Sequence, residues 1–267
     1  MVMVSIDENL IRDVQEKILS FYDDRGRDLP WRETHDPYNV WVSEIMLQQT
    51  QVSRVIPKYE AWSESFPTVH DLAEASFKTV LEHWSGLGYN NRAKWIHSAS
   101  RTIRDEHSGR VPRDDETLQS LQGIGPYTAR AIRIFAYSHD VVTVDTNIRR
   151  VLISELDLSE DLEEDDLYTV AEQLLPVGES RRWHNALMDY GALVATSTET
   201  GISPTTTQSD FDGSIRQVRG EILRRLQDQD TIQPGALIDE YPERGEAAIA
   251  GLVEDGLIEE DGGLKLV

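Results

Sequence analysis

Two Gly-x-Gly strings constrain this chain more than any other feature. Gly86-Leu-Gly88 and Gly123-Ile-Gly125 each lie between stretches whose apolar residues recur at helical spacing, so each reads as a tight turn joining two helices. In Leu121-Gln-Gly-Ile-Gly-Pro-Tyr-Thr-Ala129 the second helix opens at Pro126. Gly123 and Gly125 are expected to adopt backbone angles closed to other residues. Successive amides can then face one anion, which the dipole of the following helix also favours. Asp145, in Val-Thr-Val-Asp-Thr-Asn, follows soon after. The pairing predicts a phosphate grip beside a reactive acid.

The rest of the body is also helical in pattern. Apolar periodicity marks 9–22 (Leu10, Val14, Ile18, Phe21), then 41–53, 55–66, 69–75, 77–84, 92–107, 115–121, 127–137, 147–155, 164–175 and 182–195. Arg25–Tyr38, with two prolines and a glycine, reads as a loop, and strand signals are nearly absent, so the expected fold class is all-α. After Ala195 a Thr/Ser-rich stretch reads as a linker, assigned to 197–213. Residues 214–267 then read helix, helix, hairpin, like a small winged helix.

The formal net charge of −22 argues against a general phosphate-binding surface. The basic residues, however, are 21 Arg and only 5 Lys, and an acidic, Lys-poor surface suits a protein that works in concentrated salt. At about 1 M salt the Debye length is about 3 Å, so local patches decide what binds. Residues 84–104 hold four basic side chains and no acid, and 117–139 hold two and none. Residues 157–172 carry eight acids and no base. The acidic segments read as solvated faces and the basic windows as the ligand side. Residues 239–261 carry nine acids against one Arg, so the tail reads as packing, or as contact with a protein partner, rather than as a groove binder. There is no cysteine, and no apolar run approaches the roughly 20 residues of a membrane span. No secretory signal pattern opens the chain, and a cytoplasmic protein is expected.

Two carboxylates stand out. Glu44 and Gln48, four apart, are expected to share a helix face, with Ile45, Met46 and Val52 opposite. Glu44 is either an ordinary surface residue or, desolvated, a carboxyl protonated near neutrality and fit to be a general acid. Asp145 is a candidate N-cap, and also a candidate carboxylate held ionised by the helix dipole. One protonated and one charged carboxyl form the pair that glycoside cleavage uses.

Taken in order, Leu29-Pro-Trp-Arg32, Ser43-Glu-Ile-Met-Leu-Gln-Gln-Thr50, Gly86-Leu-Gly-Tyr-Asn-Asn-Arg-Ala93, Gly123-Ile-Gly-Pro-Tyr-Thr-Ala129, Val144-Asp-Thr-Asn-Ile-Arg-Arg-Val151 and Asn185-Ala-Leu-Met-Asp-Tyr-Gly-Ala192 resemble the MutY adenine DNA glycosylases of the helix-hairpin-helix/endonuclease III superfamily. The resemblance covers about residues 10–196. It implies two helical subdomains flanking a DNA-binding cleft, 1–28 with 140–196 and 29–139. It implies a monomeric base-flipping enzyme that removes adenine mispaired with 8-oxoguanine or guanine. By the same resemblance Glu44 would protonate adenine and later activate water, and Asp145 would stabilise the sugar cation beside Asn147 and Tyr127. Arg27, Trp31, Leu47 and Asp189 would line the adenine pocket. Gln49 and Tyr89 would enter the helix as wedges beside the orphan base, and Gln48 would also contact DNA, with Gly123, Gly125 and Thr128 on a phosphate and a monovalent cation able to sit at that hairpin. Tyr127 stands where lyase-active relatives carry a lysine, which implies a monofunctional glycosylase.

The chain departs from the family pattern in three places. The four cysteines of the usual iron–sulfur cluster are absent, so no cofactor is expected. The usual Nudix-like domain is not evident in the last residues. Asp-Thr-Asn at 145–147 stands for the family's Asp-Gly-Asn and is nearer to strings of thymine-mismatch glycosylases. A mismatch thymine or uracil glycosylase, and a non-catalytic DNA-binding or winged-helix regulator, are the alternative readings.

Overall fold

A computed structural model describes residues 6–203 and 210–267. The described residues form fifteen α-helices and one β-hairpin. In chain order these are α1 (Glu8–Arg25), α2 (Pro37–Leu47), α3 (Val52–Ser65), α4 (Val69–Glu74), α5 (Phe77–Trp84), α6 (Asn91–Glu106), α7 (Asp115–Ser120), α8 (Pro126–Phe135) and α9 (Thr146–Leu156). Then come α10 (Glu164–Gln173), α11 (Ser180–Leu193), α12 (Ser197–Thr200), α13 (Ile215–Asp228), α14 (Pro234–Glu240), α15 (Gly245–Glu254), β1 (Ile258–Glu260) and β2 (Leu264–Leu266). The all-α class holds. Two elements lie where none was expected: α14, opened by Pro234 at its first position, and α12 inside the expected linker. The last part of that linker's Thr/Ser-rich stretch, 204–209, lies outside the described residues.

The chain divides into two compact units whose boundaries differ from those expected. The first takes 1–41, 113–120 and 124–207; the second takes 42–112, 121–123 and 208–267. Side chains explain the difference. Residues 27–41 and α8 go with the first unit because Val40 packs with Ala131, Ile134 and Phe135. Arg181 on α11 also donates to the carbonyls of Arg32 and Thr34, both at 2.7 Å, and to that of Phe135. The main core of this unit is the apolar stripes of α1 (Val14, Ile18), α9 (Ile148, Val151, Leu152), α10 (Leu167, Val170, Leu174) and α11 (Trp183, Leu187, Tyr190). Such stripes, spaced three and four apart, are why these segments form helices in this environment.

In the second unit Trp62 on α3 and Trp84 on α5 meet edge to face with centroids 5.7 Å apart, beside the buried Leu72, Leu81, Ile96 and Ile103. Residues 210–267 belong to this unit rather than standing apart. Their own core is Val218, Ile222 and Leu226 of α13 against Ala248 and Leu252 of α15 and Leu264 of β2. β1 and β2 pair antiparallel, Ile258 opposite Leu266, across a turn at Gly262 and Gly263. Three helices and a hairpin thus stand where two helices and a hairpin were expected.

Candidate active site

In the first unit Asp145 is the N-cap of α9. Its Oδ1 accepts from the Ile148 amide at 2.7 Å and its Oδ2 from Asn147 Nδ2 at 3.0 Å. The next link is Arg150, one turn on, whose Nη2 donates to Asn147 Oδ1 at 2.8 Å and to the Gly191 carbonyl at 2.7 Å. Gly191 is required there, since a Cβ on it would lie 2.8 Å from Asn147 Cβ. Capping was expected to keep Asp145 readily ionised. Burial instead raises its pKa above the ordinary 3.8, outweighing the bonds from Ile148 and Asn147.

Two residues upstream of Asp145, the backbone is held by a histidine. The Thr143 amide donates to His184 Nε2 at 3.2 Å, and His184 Nδ1 donates to the Ser180 carbonyl at 2.7 Å. Burial pushes the His184 pKa down to about 4, so the ring is neutral, as both bonds require.

Asp189 is expected among the residues that line the adenine pocket. Its carboxylate has no exposed surface and takes four N–H groups. Oδ1 accepts from Arg27 Nε at 2.7 Å and Arg32 Nη2 at 2.8 Å, and Oδ2 from the Arg27 amide at 2.7 Å and Arg32 Nη1 at 2.8 Å. That fills its acceptor sites, so Asp189 anchors the segment 27–32. Burial would raise its pKa, but the Arg32 and Arg27 bonds outweigh that and leave it lowered. Trp31, in a 3₁₀ turn of the same segment, is buried. Arg32 was not singled out from the sequence.

The hairpin meets its expectation in part. Gly123 has φ +83°, and a Cβ there would lie 2.7 Å from Trp95 Cβ, so glycine is demanded twice. Gly125 differs. It is the N-cap of α8 at φ −88°, ψ −179°, ordinary extended backbone, with nothing within 4 Å of where a Cβ would be. Its use is an open approach to the end of α8, where no side chain caps the helix. Tyr127 is half-buried against the Val40–Phe135 cluster. Thr128 was expected to touch DNA but is 3% exposed, because it faces the core side of α8.

In the second unit Glu44 is 8% exposed between Ser43 and Ile45, which removes the surface reading. Helix α2 ends at Leu47, itself half-buried, so Gln48 lies in the following turn rather than on a helix face shared with Glu44. Gln49 and Tyr89, the two expected wedges, both occupy left-handed backbone, at φ 54° and 47°. Non-glycine residues hold such conformations only where the surroundings impose them.

Arg92, for which no local sequence pattern marks a special role, holds both turns here. Its Nη1 donates to the carbonyls of Ile45, Met46 and Gln48 at 2.8, 3.1 and 2.6 Å. Its Nη2 donates to the Leu87 and Gly88 carbonyls, both at 3.0 Å, and to Thr50 Oγ1 at 3.1 Å. One guanidinium thus ties the turn of Gln49 to the turn of Tyr89. Burial lowers its pKa to about 10, which leaves it charged at neutral pH.

The iron–sulfur cluster implied by the resemblance does not fit these residues. The chain has no cysteine, and among the described residues no group of three or more His, Asp or Glu could hold a metal. The segment after α11 is built otherwise. Arg150 Nε donates to the Ala195 carbonyl at 2.5 Å, Thr196 caps α12, and Ile202 is buried.

Residues 42–176 match the HhH-GPD superfamily of base excision DNA repair proteins. The adenine DNA glycosylase of Mycolicibacterium smegmatis is 39% identical over 269 residues, covering 91% of this chain and 92% of that protein. The human adenine DNA glycosylase is 40% identical over 207 residues, a match of 70% of this chain but only 38% of the human protein's length. Among solved structures, a thermostable thymine-DNA glycosylase has a TM-score of 0.66 at 27% identity, covering 72% of this chain and 90% of that one. An endonuclease III–DNA complex has a TM-score of 0.64 at 20% identity, over 75% of this chain and 91% of that one, and shares the fold. Among the described residues no helix is long and apolar enough to cross a membrane. The chain belongs to the HhH-GPD superfamily of base excision DNA repair proteins, and within it to the adenine DNA glycosylase family.

Proposed function

We propose that this protein hydrolyses the N-glycosidic bond of adenine mispaired with 8-oxoguanine or guanine in duplex DNA. The observation that carries the reading is Asp145: a half-buried carboxylate fixed through both oxygens, on a helix start that a second network holds in place. The relatives supply the base. Those at 39–40% identity are named for adenine, against 27% for the thymine enzyme.

In this reading Glu44 gives a proton to the adenine ring as the C1′–N9 bond breaks and its electron pair passes to the base. The Asp145 carboxylate stabilises the oxocarbenium ion left on the sugar. Glu44 then takes a proton from the water that adds to C1′. Arg27 and Trp31 receive the flipped base, Gln49 and Tyr89 enter the duplex beside its partner, and the start of α8 holds a phosphate. No cofactor takes part. Tyr127 offers no amine for a Schiff base, so no strand cleavage accompanies excision.

A base-release assay on A:8-oxoguanine, A:G, T:G and U:G duplexes tests the proposal. Adenine should leave the first two, with no borohydride-trappable adduct. Asp145→Asn should slow release at least about 100-fold while mispair binding persists. Release of thymine or uracil alone would refute the assignment.

A further inference from the structure

The wedge residue Tyr89 is held from two sides, and one of them is the C-terminal module. The Arg92 guanidinium lies 5.5 Å from the centre of the Tyr89 ring, and that of Arg216, in the first turn of α13, lies 5.8 Å from it. Arg216 Nη1 also donates to the Tyr89 hydroxyl at 3.1 Å. The ring remains 38% exposed, so it is fixed at its tip and over its face without being covered.

The module is itself pinned to both ends of the Tyr89 turn. Ahead of the turn, Gln227 Nε2 on α13 donates to the Leu81 carbonyl of α5 at 3.3 Å. Behind it, Lys94 Nζ on α6 donates to the Asp255 carbonyl at 2.7 Å, and the Asp255 carboxylate pairs with Arg219. The module's other arginines on α13 are occupied by acids, Arg224 by Glu221 and Arg225 by Glu221 and Glu240. Its acidic surface therefore offers DNA little, whereas its position beside Tyr89 offers a mechanical role.

We infer that residues 210–267 brace the DNA wedge, with Arg216 a positioning residue that presets the Tyr89 side chain before it enters a purine–purine mispair. The inference rests on the wedge reading of Tyr89 given above. A side chain that must slip between stacked bases binds better when its rotamer is already fixed, because that order is not lost again on binding. A cation–π contact and one hydrogen bond set the scale of the effect.

The test uses the full chain and a duplex in which the target adenine of an A:8-oxoguanine pair carries a non-cleavable sugar. Arg216→Ala should weaken affinity about three- to tenfold. Single-turnover release from the cleavable duplex at saturating enzyme should stay within about twofold of wild type. Arg224→Ala should change neither. In a Tyr89→Ala background, Arg216→Ala should add no further loss. Unchanged affinity in Arg216→Ala overturns the inference, and so does an additive loss in the double variant, which would mean that Arg216 touches DNA itself. Wild-type adenine release, measured alongside, separates the two readings: with release normal and affinity unchanged, only the bracing role fails.

Discussion

Replacing Arg150 by methionine removes one guanidinium and strands three acceptors. Arg150 is 8% exposed. It donates to Ala195 O at 2.5 Å, Gly191 O at 2.7 Å and Asn147 Oδ1 at 2.8 Å. Two of these are carbonyls at the C-terminal end of α11, where a helix has no amide of its own to offer and a cation is favoured. Each buried acceptor left without a donor costs about 1–3 kcal/mol. Methionine keeps the apolar stem and no longer has a charge to desolvate, which offsets part of the loss. The net is about 3 kcal/mol, or about 6–12 °C in Tm for a chain of this size. The same change frees Asn147 from its anchor, and with it the group that orients Asp145 Oδ2. Single-turnover excision should therefore fall about tenfold, beyond any effect on binding. Arg150→Lys, a point charge that cannot span three acceptors, should fall between. The assays are a thermal melt and single-turnover kinetics below the lowest Tm of the series. A Tm within about 2 °C of wild type together with an unchanged rate would refute the network as the support of Asp145.

Two further outcomes follow from other buried cations and rings. Because the His184 pKa is depressed to about 4 from 6.5, its contribution is whole above pH 6.5 and fades as pH falls towards 4. The difference corresponds to about 3 kcal/mol. Urea melts from pH 7 to 4.5 should show it as a slope that His184→Gln flattens, and equal slopes in the two proteins would count against it. Arg92→Lys cannot satisfy six acceptors with three protons, so stability should drop by about 3 kcal/mol. Discrimination between mispaired and matched duplex, measured by competition binding, should drop with it; a variant that melts lower but discriminates normally would separate Arg92 from the wedge.

Local rules made some of this legible from sequence and hid the rest. Helix α5 runs Phe77–Trp84 as its periodicity predicts, because a Ser76 cap starts it and an apolar stripe buries it. Helix α2 ends earlier than its apolar pattern predicts, for a reason no local rule holds. The apolar pattern continues past Leu47, but Arg92 takes the Ile45 and Met46 carbonyls that the next amides of a continuing helix would have used. The donor lies more than forty residues away in sequence. Asp189 shows the same limit. That it belongs near Arg27 was readable by resemblance; that Arg27 and Arg32 together fill its oxygens was not. In the tail, α13, α15 and the hairpin follow the sequence pattern and α14 does not, and the seat on α5 and α6 depends on Gln227 and Lys94, ordinary residues in sequence.

The excess of arginine over lysine takes on a second meaning once these side chains are seen. Read as surface chemistry, 21 Arg against 5 Lys suggested adaptation to salt. Several of the arginines, however, act as internal joints: Arg92 between two turns, Arg150 between α9 and the end of α11, Arg32 on Asp189, and Arg181 on the carbonyls of Arg32, Thr34 and Phe135. A planar fork of five donors can close several carbonyls at once, which an ammonium cannot do with the same fixed geometry. Such bonds lie largely out of reach of mobile ions, whereas an exposed pair such as Arg182 with Asp23 is screened within a few ångströms in molar salt. Arginine therefore suits concentrated salt in two ways here: the exposed ones cost little when screened, and the buried ones hold the Gln49 and Tyr89 turns and the Asp145 helix through bonds that salt screens little.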